Sequence, residues 1–424
     1  MPAVSTDLIR NAVCPFCSLL CDDLIISRKG SALQVKKNGC ARARLAFARL
    51  DRHMPPHVHG RPVSIEDAAS QAAAILRGAR QPLITGMAAD VSGCRAALAL
   101  AEACGAAVDH QHGDAAMQNL RVLQSKGWML TTLAEVKSRA DVLLLVGTTA
   151  VDHYPRFFER FARNQGALAG ANRGRRKIIF LGDLRRPPTG VATRGVRPGL
   201  IRCTKAQIPE TLAALRSLLR GSTPRPDRAL TPHRIAALKR LGETLKEARY
   251  GVVVWAAGEL ERDQADVVVR ALCDLILELN ATTRFSGLSL AGNDGGMTCQ
   301  NVTAWQSGFP LRVGYASGAP AYEPELHGTA TMLRNNAADA LLWLNTLNPD
   351  LRPPACKIPT IALARPSRRL ALDAEVFIPV AAPGVDQRGV LFRTDSVVSL
   401  PLQPLRSAVA PPAAEVLAAI MKRL

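Results

Sequence analysis

Aromatic residues, long apolar runs and acidic residues are scarce in this chain of 424 residues. Phe, Trp and Tyr make up only 4% of it, so its composition does not favour a protein that stacks single-stranded nucleic acid on aromatic rings. No apolar run approaches the ~20 residues of a membrane-spanning helix. The first residues, Met-Pro-Ala-Val-Ser-Thr-Asp, lack the basic-then-apolar order of a signal peptide, so we expect a cytoplasmic protein.

Acidic residues are outnumbered, with 35 Asp and Glu against 54 Lys and Arg, which gives a formal net charge of +19. A balance this basic raises the question of an acidic partner: nucleic acid, a membrane surface, an acidic ligand or an acidic subunit. No nucleic-acid-binding motif is present and aromatic residues are few. We therefore expect neither a nucleic-acid nor a membrane partner, and favour an acidic ligand or subunit.

The pattern along the chain indicates a small cysteine-rich module followed by two α/β domains. Apolar strand-like runs, such as residues 140–147 and 177–183, alternate with helical stretches, which predicts mostly parallel sheets of the Rossmann-like kind. The predicted divisions are residues 1–60, 61–225 and 226–424. The second boundary lies in a stretch rich in Pro and charge.

Four of the ten cysteines have a motif-like spacing, Cys14-x2-Cys17-x3-Cys21 followed by the more distant Cys40. In a reducing compartment such thiols indicate metal or cluster binding rather than disulfide bonds. Three close thiolates on one loop can each reach a different iron of a cubane, and a fourth completes a [4Fe–4S] ligand set. A zinc site is the rival, although zinc modules usually pair two knuckles of similar spacing, and empty thiols are the third alternative.

The segment around the first three cysteines also carries a family resemblance. Residues 13–23, VCPFCSLLCDD, resemble the N-terminal cluster motif in the B subunit of formylmethanofuran dehydrogenase, a molybdopterin-type protein related to formate dehydrogenases. The resemblance covers nearly the whole chain and includes residues 38–40, 133–142, 152–156 and 301–310, then Ile378-Pro379, Gly384 and Arg388-Gly389. It implies a fold like domains I–III of the molybdopterin oxidoreductases, with the four motif cysteines as cluster ligands.

Two parts of the family's active site are changed in this sequence. In active members a Cys-His pair, whose Cys ligates molybdenum or tungsten, follows a Val-Asp strand end, here residues 108–109. The next segment that matches the family is residues 124–127. Counting residues without a gap between the two matching segments places the pair at Ala115 and Ala116. The family's Arg-Gly-His stretch corresponds to Ala291-Gly292-Asn293, so the charge clamp and the candidate proton-transfer group are replaced as well.

These replacements imply a chain without a catalytic metal site of its own. Interconversion of CO2 and formate at a metal needs the metal ligand, the charge clamp and an electron path, and of these the resemblance leaves only the possible [4Fe–4S] cluster. We therefore expect molybdopterin with molybdenum or tungsten to be absent. The expected role is that of a non-redox scaffold, the B subunit of a formyltransferase/hydrolase complex whose hydrolase, formyltransferase and C-type subunits are its partners.

Two other interpretations stay open at this point. The first is an active molybdenum- or tungsten-pterin subunit that interconverts formylmethanofuran or formate and CO2. The second is a free-standing iron–sulfur protein that binds a carrier. The metals that the protein holds and the subunits that purify with it would separate the three interpretations.

Much of the positive charge lies in a basic stretch at residues 156–202, which could bind an acidic ligand. The carriers of the resembling family are furan derivatives with glutamate-rich tails. We expect Arg173, Arg175 and Arg176 to contact such a methanofuran-type carrier, because a cationic groove attracts a polyanionic tail. The alternative is a solvated face with salt bridges to other subunits.

Overall fold

The computed structural model describes residues 6–163, 176–192 and 196–424 of the chain. The strands in chain order are β1 (Thr6–Ala12), β2 (Leu24–Lys29), β3 (Ala32–Lys37), β4 (His57–Val58), β5 (Arg61–Pro62), β6 (Pro82–Ala88), β7 (Ala107–Val108), β8 (Val142–Val146), β9 (Lys177–Gly182), β10 (Gly199–Arg202), β11 (Gly251–Trp255), β12 (Phe285–Ser289), β13 (Val313–Gly314), β14 (Ala321–Tyr322), β15 (Ala340–Asn345), β16 (Thr360–Ala364), β17 (Val376–Pro379), β18 (Gly389–Phe392) and β19 (Ser399–Leu402).

The helices in chain order are α1 (Ala41–Ala48), α2 (Ile65–Gly78), α3 (Val91–Cys104), α4 (Gly113–Lys126), α5 (Leu133–Ser138), α6 (Ile208–Leu219), α7 (Pro232–Lys246), α8 (Ala265–Leu279), α9 (Gly296–Ser307), α10 (Thr329–Arg334), α11 (Arg368–Asp373) and α12 (Ala413–Met421). Within the ranges described, none of these helices is long and apolar enough to cross a membrane. The predicted mixed α/β class with parallel sheets is confirmed.

The chain divides into two compact units, one formed by Met1–Asp114 with Gly292–Leu424 and the other by Ala115–Ala291. The predicted boundary between residues 225 and 226 falls inside the second of these units. Strand β11 lies beside β8 in one parallel sheet, and β15 lies beside β6 in another. Parallel strands pair segments that are far apart in sequence, so a local Pro-rich stretch does not reveal where the units separate. The stretch at 221–232 merely links α6 to α7.

The first unit is built on a nine-stranded sheet with the order β14-β13-β7-β6-β15-β16-β17-β4-β5. Its inner strands β6, β15, β16 and β17 are parallel and almost wholly buried, as expected for apolar runs covered on both faces. The chain leaves β6 in one direction toward β7 and leaves β15 in the other toward β16. The carboxyl ends of β6 and β15 therefore form a topological switch point, the usual place for a ligand in such sheets.

The cysteine module belongs to this first unit. It consists of an antiparallel sheet, β1-β2-β3, followed directly by α1, which packs on β3. The short apolar stretch at residues 24–26 lies inside β2, where Leu24 and Ile26 are buried.

The second unit contains a fully parallel sheet with the order β10-β9-β8-β11-β12. The predicted strands at 140–147 and 177–183 are confirmed as β8 and β9. Strands β8 and β11 are buried throughout, and α6, α7 and α8 supply most of the remaining core. The switch point of this sheet lies between the carboxyl ends of β8 and β11, because the chain continues outward from each of them in opposite directions.

Candidate functional site

The antiparallel sheet brings the four motif cysteines together. Cys14, Cys17 and Cys21 are buried on the loop between β1 and β2, and the half-buried Cys40 directly precedes α1. The last residues of β1 and of β3 pair with the first residues of β2, on its two sides. The segments that follow β1 and β3 therefore start at the same end of the sheet. This explains how a cysteine far along the chain reaches the loop that carries the other three.

Backbone hydrogen bonds close the cysteine loop on itself. The N–H of Cys14 donates to the carbonyl of Cys21 at 2.8 Å, and the N–H of Leu20 donates to the carbonyl of Cys17 at 3.1 Å. Leu20 has a left-handed backbone conformation, with φ of +46°, which is unusual for a leucine. The loop is thus a tight turn whose geometry is imposed by its surroundings.

The four thiols share one electrostatic neighbourhood. The pKa of Cys14 is raised well above its ordinary value. Burial is the largest cause, and the three other motif cysteines add to the shift. Burial, reinforced by Cys21, raises the pKa of Cys17 to about 12. Without a metal these two thiols are protonated at neutral pH, so a metal group that bound here would displace their protons. The Cys40 sulfur accepts a hydrogen bond from the N–H of Ala43 at 3.4 Å and so caps α1.

The chemistry of these donors fits an iron–sulfur cluster better than a single ion. Among the residues that the structure describes, no group of three His, Cys, Asp or Glu side chains is placed to hold one metal ion. A zinc ion needs four ligands that converge on one point, whereas a cubane takes one thiolate at each of its irons. Cys14, Cys17, Cys21 and Cys40 are the residues that would hold the cluster, and its presence stays a prediction.

The two positions expected to carry the metal-ligating pair lie in the first turn of α4. Ala116 is buried, and the methyl group of Ala115 faces the 257–259 turn, where a Cβ on Gly258 would lie 3.3 Å from it. Neither side chain has a lone pair to give to a metal. This part of the second unit therefore offers close apolar packing in place of a ligand.

Asn293, the position of the expected proton-transfer group, is bonded to the cysteine loop. Its amide oxygen accepts hydrogen bonds from the N–H of Ser18 at 3.0 Å and from the hydroxyl of Ser18 at 3.2 Å. Ser18 is buried between Cys17 and Cys21. Sequence reasoning missed this contact because the two residues are 275 positions apart and carry no local pattern. Ala291, the expected charge-clamp position, presents only a methyl group.

The next residue, Asp294, ties two histidines to the same turn. Its carbonyl accepts a hydrogen bond from His110 at 3.0 Å, and its carboxylate accepts from His112 at 2.8 Å and from Asn348 at 3.0 Å. Burial lowers the pKa of His110 to about 4, with His112 adding to the shift. Burial alone would raise the pKa of Asp294, but the bonds from His112 and Asn348 outweigh it and lower that pKa. His110 is thus a neutral, structurally bonded side chain.

Apolar side chains pack closely on the backbone that follows β8, at the switch point of the second unit. Gly147 follows β8 with φ of +66°, and a Cβ on it would lie 2.4 Å from the Leu260 side chain and 3.2 Å from that of Ile208. Leu260 and Ile208 are both buried in the core of this unit. The space directly beside the Gly147 backbone is therefore taken up by apolar side chains.

A cavity of about 330 Å³ lies at the carboxyl ends of β6 and β7 in the first unit. Its wall includes Asp109, which is buried beside Arg312 at 3.4 Å and accepts a hydrogen bond from the N–H of Thr329 at 2.7 Å. Burial raises the pKa of Asp109, although Arg312 opposes the shift. In the described part of the chain, the buried side-chain amide of Gln111, another wall residue, has no hydrogen-bond partner. The cavity therefore has a mainly apolar wall with a few polar groups, and it lies next to the switch point of the sheet.

The structure corrects one of the three predicted carrier contacts. Arg176 has no exposed surface, and its guanidinium donates hydrogen bonds to backbone carbonyls, including those of Ala140 and Val136, both at 2.7 Å. A side chain enclosed in this way is not available to an acidic carrier. The reason is local: Arg176 immediately precedes β9, and its side chain turns inward to bond the carbonyls around α5. Arg173 and Arg175 lie outside the described residues.

Comparisons with known proteins agree with the resemblance. No family model matches the chain. It is 27% identical, over 96% of its length and 94% of the relative's, to the B subunit of the tungsten-containing formylmethanofuran dehydrogenase 2 of Methanocaldococcus jannaschii. It is 30% identical to the B subunit of the formyltransferase/hydrolase complex Fhc of Methylorubrum extorquens, over 88% of this chain and 97% of that one.

A solved structure agrees with the sequence relatives. The chain matches one chain of the formyltransferase/hydrolase complex from Methylorubrum extorquens, determined in complex with methylofuran, with a TM-score of 0.73 and 29% identity. The match covers 87% of this chain and 98% of that one. The chain therefore belongs to the family of B subunits shared by formylmethanofuran dehydrogenases and formyltransferase/hydrolase complexes.

Proposed function

We propose that this chain is the non-redox B subunit of a formyltransferase/hydrolase complex in one-carbon metabolism linked to tetrahydromethanopterin and methanofuran. The observation that carries the proposal is the set of alanines at the positions of the metal ligand, its neighbour and the charge clamp: Ala115, Ala116 and Ala291. A methyl group neither ligates molybdenum or tungsten nor neutralises a carboxylate.

The apolar packing beside Gly147 supports the same proposal. In a molybdopterin oxidoreductase-type fold, the switch points of the parallel sheets are where nucleotide-bearing pterins are expected. Leu260 and Ile208 pack over one of these positions, so the residues present do not fit a pterin nucleotide there. No step of the proposed reaction is assigned to such a cofactor.

The proposed overall reaction needs no electron transfer. A formyl group on a carrier nitrogen is attacked by water, the C–N bond breaks, the amine takes up a proton, and formate leaves. Carbon keeps its oxidation state throughout, so neither an electron path nor a metal hydride is required. The chain's part is then to hold the partner subunits that carry the formyltransferase and hydrolase sites.

A cluster on the four cysteines would have a structural part in this scheme. When bound, a [4Fe–4S] group would cross-link the loop between β1 and β2 to the start of α1 through four covalent Fe–S bonds. The module has only a three-stranded sheet and one helix, and small modules of this size commonly depend on such a link for stability.

The proposed small-molecule partner is an acidic carrier of the methanofuran type. The related complex from Methylorubrum extorquens was solved with methylofuran, and the present chain carries a net charge of +19. Arg173 and Arg175 stay the predicted contacts of the carrier's acidic tail. Added salt weakens this electrostatic attraction, because dissolved ions screen it beyond a Debye length of about 8 Å at physiological ionic strength.

The test is to follow the formyl group in the complex purified through a tag on this chain. We expect a formylated carrier to yield formate in the same amount whether or not an artificial electron acceptor such as a viologen is added. Formation of CO2 with stoichiometric reduction of the viologen would overturn the proposal and favour the dehydrogenase interpretation. Purification of the chain without hydrolase and formyltransferase subunits would overturn it in favour of a free-standing protein.

A further inference from the structure

The turn at residues 292–295 has an unusual backbone. Gly292, Asp294 and Gly295 all have left-handed conformations, with φ of +80°, +53° and +74°. Gly292 cannot be replaced without a clash, since a Cβ there would lie 2.6 Å from that of Met297. Strained turns persist only where their surroundings hold them. This turn is held by the hydrogen bonds of Asp294 to His110, His112 and Asn348, and its Asn293 side chain bonds the cysteine loop.

Asn293 reaches the tip of the cysteine loop. Its single amide oxygen accepts two hydrogen bonds from Ser18, one from the backbone N–H and one from the hydroxyl. The carbonyl of Ser18 in turn accepts a hydrogen bond from the N–H of Thr394 at 2.8 Å. Two segments distant in sequence thus fix a residue that lies within the Cys17–Cys21 interval.

We propose that Asn293 is a positioning residue for the cysteine site, acting through Ser18. By fixing the N–H and the hydroxyl of Ser18, it holds Cys17 and Cys21 on either side in the orientation that a shared metal group requires. The position that the family uses for proton transfer would here serve to order the cysteine loop. The metal-dependent part of this inference rests on the proposed cluster, whereas the ordering of the loop does not.

The variants that test this proposal are chosen by whether they keep a hydrogen-bond acceptor at position 293. Asn293→Leu keeps the size of the side chain but removes the acceptor, so both hydrogen bonds to Ser18 are lost. Asn293→Asp keeps an oxygen at the same place and should accept both bonds, which makes it the conservative rescue. A matched control is Asn301→Leu, since Asn301 bonds the Ser396 side chain at 3.1 Å in the same unit.

The first measurement is the alkylation rate of Cys17 in the full-length chain after anaerobic treatment with an iron chelator. We expect iodoacetamide to modify Cys17 about ten-fold faster in Asn293→Leu than in the wild type, because two hydrogen bonds of modest net strength no longer oppose local opening. Asn293→Asp and Asn301→Leu should react at the wild-type rate. Cys104, a half-buried thiol of the same unit, reports any general loosening and should not change.

The second measurement uses the complex as purified under anaerobic conditions. If the wild type holds iron, Asn293→Leu should hold less iron and sulfide per chain and show an altered cluster spectrum, while Asn293→Asp should match the wild type. If the wild type holds none, the proposed cluster fails but the alkylation result still decides the ordering role. Equal alkylation of Cys17 in wild type and Asn293→Leu would overturn the inference, and so would a rate increase shared by Cys104.

Discussion

Replacing Arg176 with Met is expected to destabilise the Ala115–Ala291 unit by about 3–5 kcal/mol. Arg176 has no exposed surface, and burial lowers its pKa to about 10, so it is a buried cation at neutral pH. Its guanidinium donates to five backbone carbonyls, those of Val136, Lys137, Ala140, Phe161 and Ala162. Met fills a similar volume but donates no hydrogen bond.

The size of this loss of stability depends on the backbone carbonyls that would lose their hydrogen-bond donor. A buried acceptor left unsatisfied costs about 1–3 kcal/mol, and relaxation or an entering water recovers part of the total. The Val136 and Lys137 carbonyls belong to α5, and the Ala140 carbonyl lies just before β8. The variant should therefore loosen the entry to the central strand of this sheet first.

Urea unfolding and amide hydrogen exchange measure this prediction. The variant should lower the urea midpoint of the unit and speed exchange in peptides from α5, β8 and β9. The matched control is Arg185→Met, an exposed arginine after β9, which should shift stability by no more than about 0.5 kcal/mol. Equal stability of the two variants would contradict the buried role assigned to Arg176 and reopen it as a surface contact.

Replacing Asp51 with Asn is expected to destabilise the first unit by a similar amount, about 3–5 kcal/mol. The Asp51 side chain is 1% exposed and pairs with Arg365 at 2.7 Å and Arg406 at 3.4 Å, whose side chains are 1% and 4% exposed. Arg49 bonds the other carboxylate oxygen at 2.9 Å. Asn carries no charge, so Arg365 would be left without a carboxylate partner.

A buried arginine that loses its carboxylate is costly because neither water nor a neighbour replaces the pair. Asp386 still accepts from Arg406 at 2.7 Å, so the loss falls mainly on Arg365. The loss of stability should be nearly independent of salt concentration, since dissolved ions screen a buried ion pair poorly. The matched control is Asp373→Asn, which breaks the exposed helix pair with Arg369 and should cost under about 1 kcal/mol.

The measurement is the urea midpoint of each variant at low and at high salt. A small effect for Asp51→Asn, or one that disappears with salt, would show that the pair is solvated and would contradict this account. Asp51→Leu combined with Arg365→Met tests the cause independently, and it should cost less stability than Asp51→Asn. It leaves no buried Arg365 unpaired, Arg406 keeps Asp386, and the Arg49 side chain is partly exposed.

Local sequence patterns were enough to predict the inner strands but not the way they pair. The apolar runs that became β8, β9 and β15 are visible in the sequence, since a buried parallel strand needs a continuous apolar segment. Their neighbours in the sheets come from distant segments, such as β11 beside β8. This is why the predicted boundary after residue 225 did not match the division into units.

Charged residues were harder to place than apolar ones. Arg176 and Arg365 look like ordinary surface arginines in the sequence, because composition carries no sign of burial. Both are enclosed, and each is held by acceptors from other segments. The bond between Asn293 and Ser18 was not predicted either, because the two residues are 275 positions apart in the sequence.

The four motif cysteines were singled out from the sequence, and their role as cluster ligands stays a prediction. Spacing alone singled out Cys14, Cys17, Cys21 and Cys40, and the sheet of the module places all four in one neighbourhood. The spacing is informative because three of the cysteines lie on one short loop. The family membership, which rested on the same segment and on longer stretches of the chain, is confirmed by the relatives and by the solved structure.

The most direct test of the non-redox role is the metal content of the complex purified through this chain. Elemental analysis should find molybdenum and tungsten only at trace level, with no pterin released on denaturation, and any iron present should be that of the cysteine module. Molybdenum or tungsten in near-stoichiometric amount, together with an extractable pterin, would contradict the account and identify the chain as part of an active dehydrogenase.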